Sequence, residues 1–266
     1  MGSLAGLLYV IFAAANPSAS SSATDDGTAD HAEEPAGGAG VTPIEILPRV
    51  ELRQSFQRLQ NGASVSDTTT EIDIQFLKRL LLRYEAPFRV VGTPTGQISG
   101  LSDVQLQALA ILLSNERLLV GLLAGAVLDT ATQPQLGAGK QQVFFGGGAA
   151  YKPRPWWIAY GVVQEQLSVG GSAARPDVNQ LSGLLGSVLF GRQYNWLKLD
   201  LGETFDFPDS AARLFGTFEV GSLLIGRVGL FTRAGTQLLG PRQVDYSLAG
   251  GFRYVFRLET TRPGGK

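Results

Sequence analysis

The stretch Gln243-Val-Asp-Tyr-Ser-Leu-Ala-Gly-Gly-Phe-Arg-Tyr-Val-Phe-Arg257 decides the fold, because apolar and polar side chains alternate along it. A period of two predicts a β-strand whose two faces differ. A strand of about ten residues with one apolar and one charged face is typical of a wall between lipid and water. A strand of a soluble β-sandwich is the alternative. We predict that the apolar residues of this strand face lipid, namely Val244, Tyr246, Leu248, Phe252, Tyr254 and Phe256.

The composition narrows the classes of protein to which the chain can belong. Its 266 residues include 34 glycines and no cysteine, and 17% of them are charged. Without cysteine the chain forms neither a disulfide framework nor a thiolate metal site. A formal charge of −1 gives no electrostatic reason to expect nucleic acid as a partner. Abundant glycine, sparse charge and no long apolar run after residue 15 suit an outer-membrane β-barrel, and a repetitive soluble β-protein is also compatible with them.

The two ends of the chain differ in composition from its centre. Residues 4–15 are apolar, too few to span a bilayer as a helix but typical of the core of a secretory signal, so we predict a signal peptide over residues 1–20. Residues 21–42 are rich in Ser, Ala, Gly and acidic side chains, which predicts a disordered linker. The predicted β-barrel then occupies residues 43–257, and residues 258–266 form a polar C-terminal tail.

The alternation of residues 243–257 recurs along the chain and predicts an all-β fold of about twelve antiparallel strands. Every backbone polar group within lipid needs a partner, so the sheet must close into a transmembrane β-barrel. The other predicted strands lie near residues 50–57, 72–76, 80–89, 103–110, 118–129, 142–151, 156–165, 178–190, 196–201, 213–220 and 227–238.

The predicted connections alternate between short and long, as in an up-and-down meander with short periplasmic turns and long extracellular loops. A soluble sandwich has no need for such regularity. The predicted short turns are 78–79, 114–117, 152–155, 191–193 and 226–227, and the predicted long loops lie near 59–67, 90–100, 130–141, 168–177, 207–211 and 238–243.

Nine aromatic side chains cluster beside the predicted short turns or at the end of the last strand. Amphipathic rings favour the boundary between lipid headgroups and hydrocarbon, so this clustering predicts an aromatic girdle on the periplasmic side. A general preference of aromatic residues for strands is the simpler explanation. The nine residues are Phe76, Tyr151, Trp156, Trp157, Phe190, Tyr194, Trp196, Tyr254 and Phe256.

Polar side chains on the opposite face of the predicted strands are candidates for the lining of a pore. Such a lining would select permeant molecules by its electrostatic field. The alternative is a structural network of salt bridges that fills a small lumen, and the two signs of charge are mixed, with no ring of one sign. The predicted pore-lining residues are Arg53, Arg83, Glu85, Asp103, Gln105, Gln107, Glu165, Lys198, Asp200, Glu219, Arg233, Asp245 and Arg253.

The sequence offers little material for catalysis. Its single histidine, His31, lies in the predicted linker, where it is a poor general base because a base must lie within hydrogen-bond reach of its nucleophile. A zinc site is excluded because the chain has no cysteine and no clustered histidine. We therefore predict no catalytic residues, no metal and no cofactor.

Three short motifs carry a family resemblance. They are residues 83–88 (RYEAPF), residues 99–108 (SGLSDVQLQA) and residues 134–140 (PQLGAGK). They resemble, in order, an aliphatic strand ending in Pro and an aromatic residue, a Gly-Leu-Gly-Asp strand start, and a Gly-rich loop with a lysine. All three occur in the outer-membrane transporter-like family named for the "MetA-pathway of phenol degradation". The resemblance implies passage of small, hydrophobic or aromatic molecules across the outer membrane.

These observations predict a non-enzymatic channel or transporter in the bacterial outer membrane. Small solutes would diffuse past a constriction lined by charged residues. The expected partners are outer-membrane lipid, lipopolysaccharide, the barrel assembly machinery and a small-molecule solute. The alternative is a closed barrel with a structural role or with binding through its extracellular loops. A soluble lipocalin-like binder, with apolar residues inside, is a third class.

Overall fold

The computed structural model describes residues 41–42, 47–93, 96–191, 195–225 and 227–256. The predicted signal peptide, nearly all of the predicted linker and the predicted polar tail lie outside these residues. Regular structure in the described part of the chain is β-strand throughout. No helix in that part is long and apolar enough to cross a membrane.

The described residues form thirteen β-strands, and all but one are eleven to fifteen residues long. A tilted strand of about 9–11 residues crosses the hydrocarbon core of a bilayer, so these strands are long enough to span it. The strands are β1 (Arg49–Leu59), β2 (Ser64–Leu77), β3 (Leu80–Thr93), β4 (Gly96–Leu101), β5 (Val104–Ser114), β6 (Leu118–Leu128), β7 (Lys140–Arg154), β8 (Trp157–Gly171), β9 (Asn179–Phe190), β10 (Asn195–Asp206), β11 (Ala211–Ile225), β12 (Val228–Leu239) and β13 (Val244–Val255).

All strands belong to one antiparallel sheet that closes on itself. The first strand, β1, pairs with the last, β13, with Arg49 opposite Val255 at one end. The second half of β3 pairs with β4 and its first half with β5. Hence β4 and β5 share one strand position, which is interrupted at Ser102 and Asp103. The prediction of a closed, twelve-stranded, up-and-down barrel is confirmed.

The connections leave the barrel at two ends, which we call the short-turn end and the long-loop end. The short-turn end is the end at which β2 is followed by β3, β5 by β6, β7 by β8, β9 by β10 and β11 by β12. At the long-loop end, residues 60–63, 129–139, 172–178, 207–210 and 240–243 connect strands, and β3 is followed by β4. The long loops predicted near residues 59–67 and 90–100 are wrong, because β2 begins at Ser64 and β3 continues to Thr93. The start of β2 is polar on both faces, so no alternation reveals it in the sequence.

The outer face of the barrel is apolar. On β13 the side chain of Phe252 is 45% exposed, whereas that of the neighbouring Arg253, which points inward, is 3% exposed. Phe76, Trp156 and Trp157 are exposed at the short-turn end, where a girdle is expected. The girdle prediction is wrong for Phe190 and Trp196, which lie opposite each other on the inner faces of β9 and β10.

Candidate functional site: the barrel lumen

The candidate site is the lumen, because alternate side chains of each strand point into the closed barrel. Two kinds of lining meet there. The inner faces of β1–β3 and β10–β13 carry most of the charged side chains, and the inner faces of β6–β9 carry many of the apolar ones.

Four charged side chains on β1–β3 form a buried cluster near the short-turn end. Arg83 binds Asp73 with two parallel hydrogen bonds, from Nε to Oδ1 at 2.7 Å and from Nη2 to Oδ2 at 2.8 Å. Arg49 also contacts Asp73, with 3.0 Å between Nε and Oδ2, and donates a hydrogen bond to Glu71. The register explains the cluster, since Arg49 and Arg83 both lie opposite Asp73, on either side of β2.

Glu51 is the centre of a second group, which joins the first strand to the last. Arg253 donates from Nε to Glu51 Oε2 at 2.9 Å, and Arg53 donates from Nη1 to Oε1 at 3.2 Å. Arg53 also reaches Glu85, with 3.4 Å between Nη2 and Oε1. The Glu51 carboxylate is fully buried, and both of its oxygens have cationic partners.

A third group lies on β10–β12 around Glu219, whose side chain is 1% exposed. Trp196 Nε1 donates to Glu219 Oε1 at 2.9 Å, and Arg233 donates to Oε2 from Nε at 3.0 Å and from Nη2 at 2.5 Å. On the neighbouring row, Lys198 Nζ lies 3.2 Å from Asp200 Oδ2. These charges neutralise one another, so no ring of one sign lines the lumen.

Four inward-pointing aromatic rings each lie close to a glycine on the adjacent strand. In every pair the ring and the glycine are direct partners in the register, and a Cβ on the glycine would overlap or crowd the ring. Tyr160, for example, extends across Gly186 and donates its hydroxyl hydrogen to Asp200 two strands away. Glycine beneath a cross-strand aromatic ring is a known device in β-sheets. The pairs are Phe144–Gly125, Tyr160–Gly186, Trp196–Gly221 and Phe231–Gly251.

These rings belong to a buried apolar cluster inside the barrel that the sequence analysis missed. Val188, on the inner face of β9, is 0% exposed, and Leu81, Leu109 and Leu123 are also buried. The prediction of a polar lining follows from assigning the polar face of every strand to the interior. The signal available in the sequence was the strand at residues 118–128, where both faces are apolar, so that one apolar face had to point inward.

Val41 is part of the same apolar cluster, although it precedes the first strand. Its side chain is 4% exposed, and that of Thr42 is 5% exposed. The strand members of the cluster point into the lumen, which places Val41 in the lumen with them. The prediction of a disordered linker up to residue 42 is wrong for these two residues. Their burial narrows the lumen at the level of the cluster.

The loop of residues 129–139 is anchored to the interruption between β4 and β5. Asp103 accepts hydrogen bonds from the backbone N–H groups of Ala131 at 3.3 Å and Ala138 at 2.6 Å. Ser102 Oγ and Arg89 Nη1 donate to the carbonyl of Leu136, at 2.5 and 3.2 Å, and Leu136 is fully buried. The loop therefore covers the edge of β4 that no other strand pairs with, and it narrows the long-loop end.

The structure brings most of the predicted pore-lining residues to the inner face, but not to one site. The groups around Asp73 and Glu51 contain Arg53, Arg83, Glu85 and Arg253. The group around Glu219 and the row beside it contain Lys198, Asp200, Glu219 and Arg233. Gln105 and Gln107 lie inside on β5, opposite Glu85 and Arg83. Asp103 anchors the loop of residues 129–139. Asp245 lies near the long-loop end, 3.6 Å from Arg242.

Glu165 is a correction to the predicted lining. It shares a face of β8 with Trp157 and Val163, opposite to the face of Tyr160, and it pairs with the exposed Phe145 of β7. The structure therefore places it on the outer wall. Assigning every charged side chain to the interior is therefore incorrect here. The buried Tyr160 and Val162 identify the inner face of β8, and Glu165 lies on the other face.

The residues predicted to face lipid share the outer parity of β13. Tyr246, Leu248 and Phe252 are among the exposed apolar side chains, and so is Phe256 just beyond the strand. Tyr254 packs edge-on against Phe256, with 4.9 Å between the ring centroids. Val244, at the start of β13, is half-buried.

Within the described part of the chain, no group of three or more His, Cys, Asp or Glu residues could hold a metal ion.

No family model and no curated relative matches the chain. Solved structures of outer-membrane barrels do. The COG4313 outer membrane channel from Pseudomonas putida F1 covers 80% of this chain and 96% of its own, with a TM-score of 0.65 and 14% identity. The NanC porin covers 79% of this chain and 100% of its own, with a TM-score of 0.58 and 7% identity. The KdgM porin in complex with disordered oligogalacturonate covers 79% and 99%, with a TM-score of 0.55 and 7% identity. At these identities the likeness is one of fold.

The closed barrel and its apolar outer wall together identify a membrane-spanning protein of the bacterial outer membrane. Closure removes the two edges that an open sheet would expose to lipid. The exposed apolar side chains on the outer wall match a surrounding bilayer and would be unfavourable in water. The chain thus has the fold of outer-membrane channels.

Proposed function

We propose that this barrel is a non-enzymatic channel that lets small solutes with apolar surface diffuse across the outer membrane, in either direction. The observation that carries the proposal is the apolar inner face of β8 and β9. Val162 lies opposite Leu184, and Ile158 lies opposite Val188, so the apolar lining is continuous between the two strands. Contact with such a wall is favourable for an apolar solute, because it removes apolar surface from water. Membership of the transporter family named for the phenol pathway is part of the proposal and rests on the three motifs.

The charged residues have a supporting role in this proposal. Since Glu51, Glu219 and Asp73 are already bound by arginines, they hold the strands together and leave only a weak net field along the lumen. We place the short-turn end in the periplasm and the long-loop end outside the cell, with lipopolysaccharide and lipid around the outer wall. Insertion would depend on the barrel assembly machinery.

The test is a planar-bilayer recording of the full chain, with a heat-shifted gel band to confirm folding. We expect discrete current steps that cyclohexanol, a small apolar alcohol, reduces in a saturable way. Leu184→Ser, on the inner face, should weaken this reduction. Leu185→Ser, one residue away on the outer face, is the matched control and should leave it unchanged. Equal effects of the two variants would contradict an apolar path through the lumen.

A closed barrel with a structural or loop-mediated role is the second candidate, and the buried Val41 favours it. A folded wild-type barrel that passes no current would support this role. The variant Val41→Asp then distinguishes a channel that Val41 closes from a barrel whose interior is filled. A buried charge in the apolar cluster is unfavourable, so the aspartate should leave the cluster or draw water into it. Current in the variant alone would indicate a channel closed by Val41. Silence in both would indicate a barrel without a path.

A further inference from the structure

We propose that Gln164 and Gln180, with Gln166, Ser182 and Thr204 beside them, form a hydrogen-bonding subsite for uncharged, hydroxyl-bearing solutes. The subsite lies in the lumen near the long-loop end. The inference rests on the proposed channel function and specifies the chemical class of its solute. It assigns recognition to neutral side chains that the sequence analysis did not select.

The register brings these five side chains together on the inner wall. Gln164 of β8 lies opposite Ser182 of β9, which lies opposite Thr204 of β10. In the adjacent row, Gln166 lies opposite Gln180. All five have the inward parity of Tyr160, and all are half-buried. They therefore form one polar patch of neutral side chains on three neighbouring strands. An ion pair borders it, because Asp206 lies opposite Gln180 and Arg213 lies opposite Thr204, with 3.7 Å between Arg213 Nη1 and Asp206 Oδ2.

Two members of the patch have side-chain amides that form no hydrogen bond with the described part of the chain. Gln166 donates its amide N–H to Gln142, and the hydroxyls of Ser182 and Thr204 lie 3.4 Å apart. The side chains of Gln164 and Gln180 make no hydrogen bond to any residue that the structure describes. A glutamine amide offers two donors and one oxygen acceptor. These groups face lumen water and are available to a solute at no cost in broken protein contacts.

The charged groups of the lumen are paired with one another. Next to the patch, Arg213 lies 3.7 Å from both Asp206 and Asp209, and pairs elsewhere in the lumen are tighter. Arg89 and Arg83 each give two hydrogen bonds to one aspartate, and Arg233 gives two to Glu219. A charged solute would have to separate such a pair, and breaking a buried ion pair is strongly unfavourable. An uncharged hydroxyl group, which both donates and accepts, matches a free amide without that cost.

The residues next to the patch add an apolar contact. The row below Gln164 and Ser182 contains Val162 and Leu184, which lie opposite each other on the same inner face. A solute with hydroxyl groups along one edge and C–H groups on its ring face would contact both rows. Glucose has this character and carries no charge.

The experiment measures binding separately from conduction. Saturation-transfer NMR of the full-length protein in lauryldimethylamine oxide, a detergent without a sugar headgroup, gives the dissociation constants of three ring-matched probes. These are glucose, which is neutral, glucuronate, which is an anion, and glucosamine, which is a cation at pH 6. We expect glucose to bind more tightly than either charged probe.

The variant Gln164→Leu/Gln180→Leu removes the free amides at nearly constant size. It should weaken glucose binding about tenfold or more, since two hydrogen-bonding side chains are lost. Gln54→Leu, on the outer wall of β1, is the control and should bind glucose like the wild type. A heat-shifted gel band shows whether each variant is folded.

Three results would overturn the inference: no binding of glucose by the wild type, tighter binding of a charged probe, or unchanged binding by the double variant. Each concerns binding in detergent and needs no current. Absence of current from the wild type in a planar bilayer would instead count against the proposed channel function. The two failures are therefore distinguishable.

Discussion

At the scale of single residues, the interior of this barrel tolerates buried charge because its most deeply buried glutamates, Glu51, Glu71 and Glu219, accept hydrogen bonds from arginine side chains. Glu219 accepts hydrogen bonds from Trp196 and twice from Arg233. A buried charge without such partners would be strongly unfavourable. The aromatic rings depend on an equally local condition, namely a glycine at the opposite register position.

We predict that Glu219→Ala lowers the free energy of unfolding by about 1–3 kcal/mol, because it leaves the buried Trp196 indole N–H and the half-buried Arg233 without their acceptor. Urea titration followed by the heat-shifted gel band measures the change. Glu203→Ala is the matched control, since Glu203 lies on the outer face of the neighbouring strand β10 and is exposed. Its effect should stay within about 0.5 kcal/mol. Similar losses in the two variants would contradict a special role of the Glu219 contacts.

We predict that Gly186→Ala destabilises the barrel by about 1–3 kcal/mol, because the new methyl group would overlap the Tyr160 ring and the Asp200 carboxylate. The same urea titration measures it. Gly183→Ala, on the same strand, is the control, since a Cβ there meets no atom within 4 Å. Replacing a strand glycine in open space should be neutral or stabilising. If both variants behave alike, the ring does not depend on the glycine.

At the scale of strands and loops, the interruption of one strand position has a structural reason. β4 ends at Leu101, and the loop of residues 129–139 takes the place of a neighbouring strand, with the N–H of Thr132 donating to the Leu101 carbonyl at 3.0 Å. Asp103 holds this loop by two backbone N–H groups. Together with Ser102 and Arg89, which donate to the Leu136 carbonyl, this carboxylate holds the loop at the mouth of the lumen.

We predict that Asp103→Ala releases the loop, because hydrogen bonds to a charged acceptor contribute about 1.5–3 kcal/mol each. Proteinase K should cut the variant faster within residues 129–139, and its single-channel current should rise. Asp129→Ala, an exposed position in the same loop, is the control and should change neither. An unchanged cleavage rate in the Asp103 variant would mean that other contacts suffice to hold the loop.

The elements differ in how well the sequence reveals them. Residues 244–255 are readable because their two faces differ, and the strand is found where it is predicted. Periodicity shows that two faces differ but not which one is inside, so Glu165 is misassigned and Trp196 is placed in a girdle. Residues 118–128 are apolar on both faces, and the start of β2 is polar on both, so neither offers a contrast to read. The apolar cluster depends on neighbours several strands away, which a single sequence does not identify.

At the scale of the whole molecule, the barrel separates two environments with one layer of backbone. Its outer wall is matched to lipid, while its interior combines paired charges, neutral polar side chains and packed apolar side chains. The same apolar residue type serves opposite purposes on the two sides, as Leu184 and Leu185 illustrate. The position of a substitution relative to this wall and to the bilayer therefore decides its effect.

We predict that Leu248→Arg destabilises the folded barrel by roughly 2–4 kcal/mol, as expected for an arginine at the bilayer midplane. Unfolding in urea from lipid vesicles measures the loss. Leu238→Arg is the matched control, because Leu238 is equally exposed on the outer wall but lies one residue from the end of β12. Near the interface the same change should cost about 0–1 kcal/mol. Equal costs would contradict the depth that this orientation assigns to Leu248.

The seam between β1 and β13 determines when folding can finish. Glu51 and Arg253, which meet across it, are 202 residues apart in the chain. During synthesis the first strand therefore waits for the last, with its outer edge unpaired for the whole interval. An unpaired edge is a site of aggregation, and contacts between distant residues form slowly. The unpaired edge of a nascent chain must stay shielded from other chains until residue 255 has been synthesised. A stop codon before position 244 would remove the last strand and yield a sheet that cannot close.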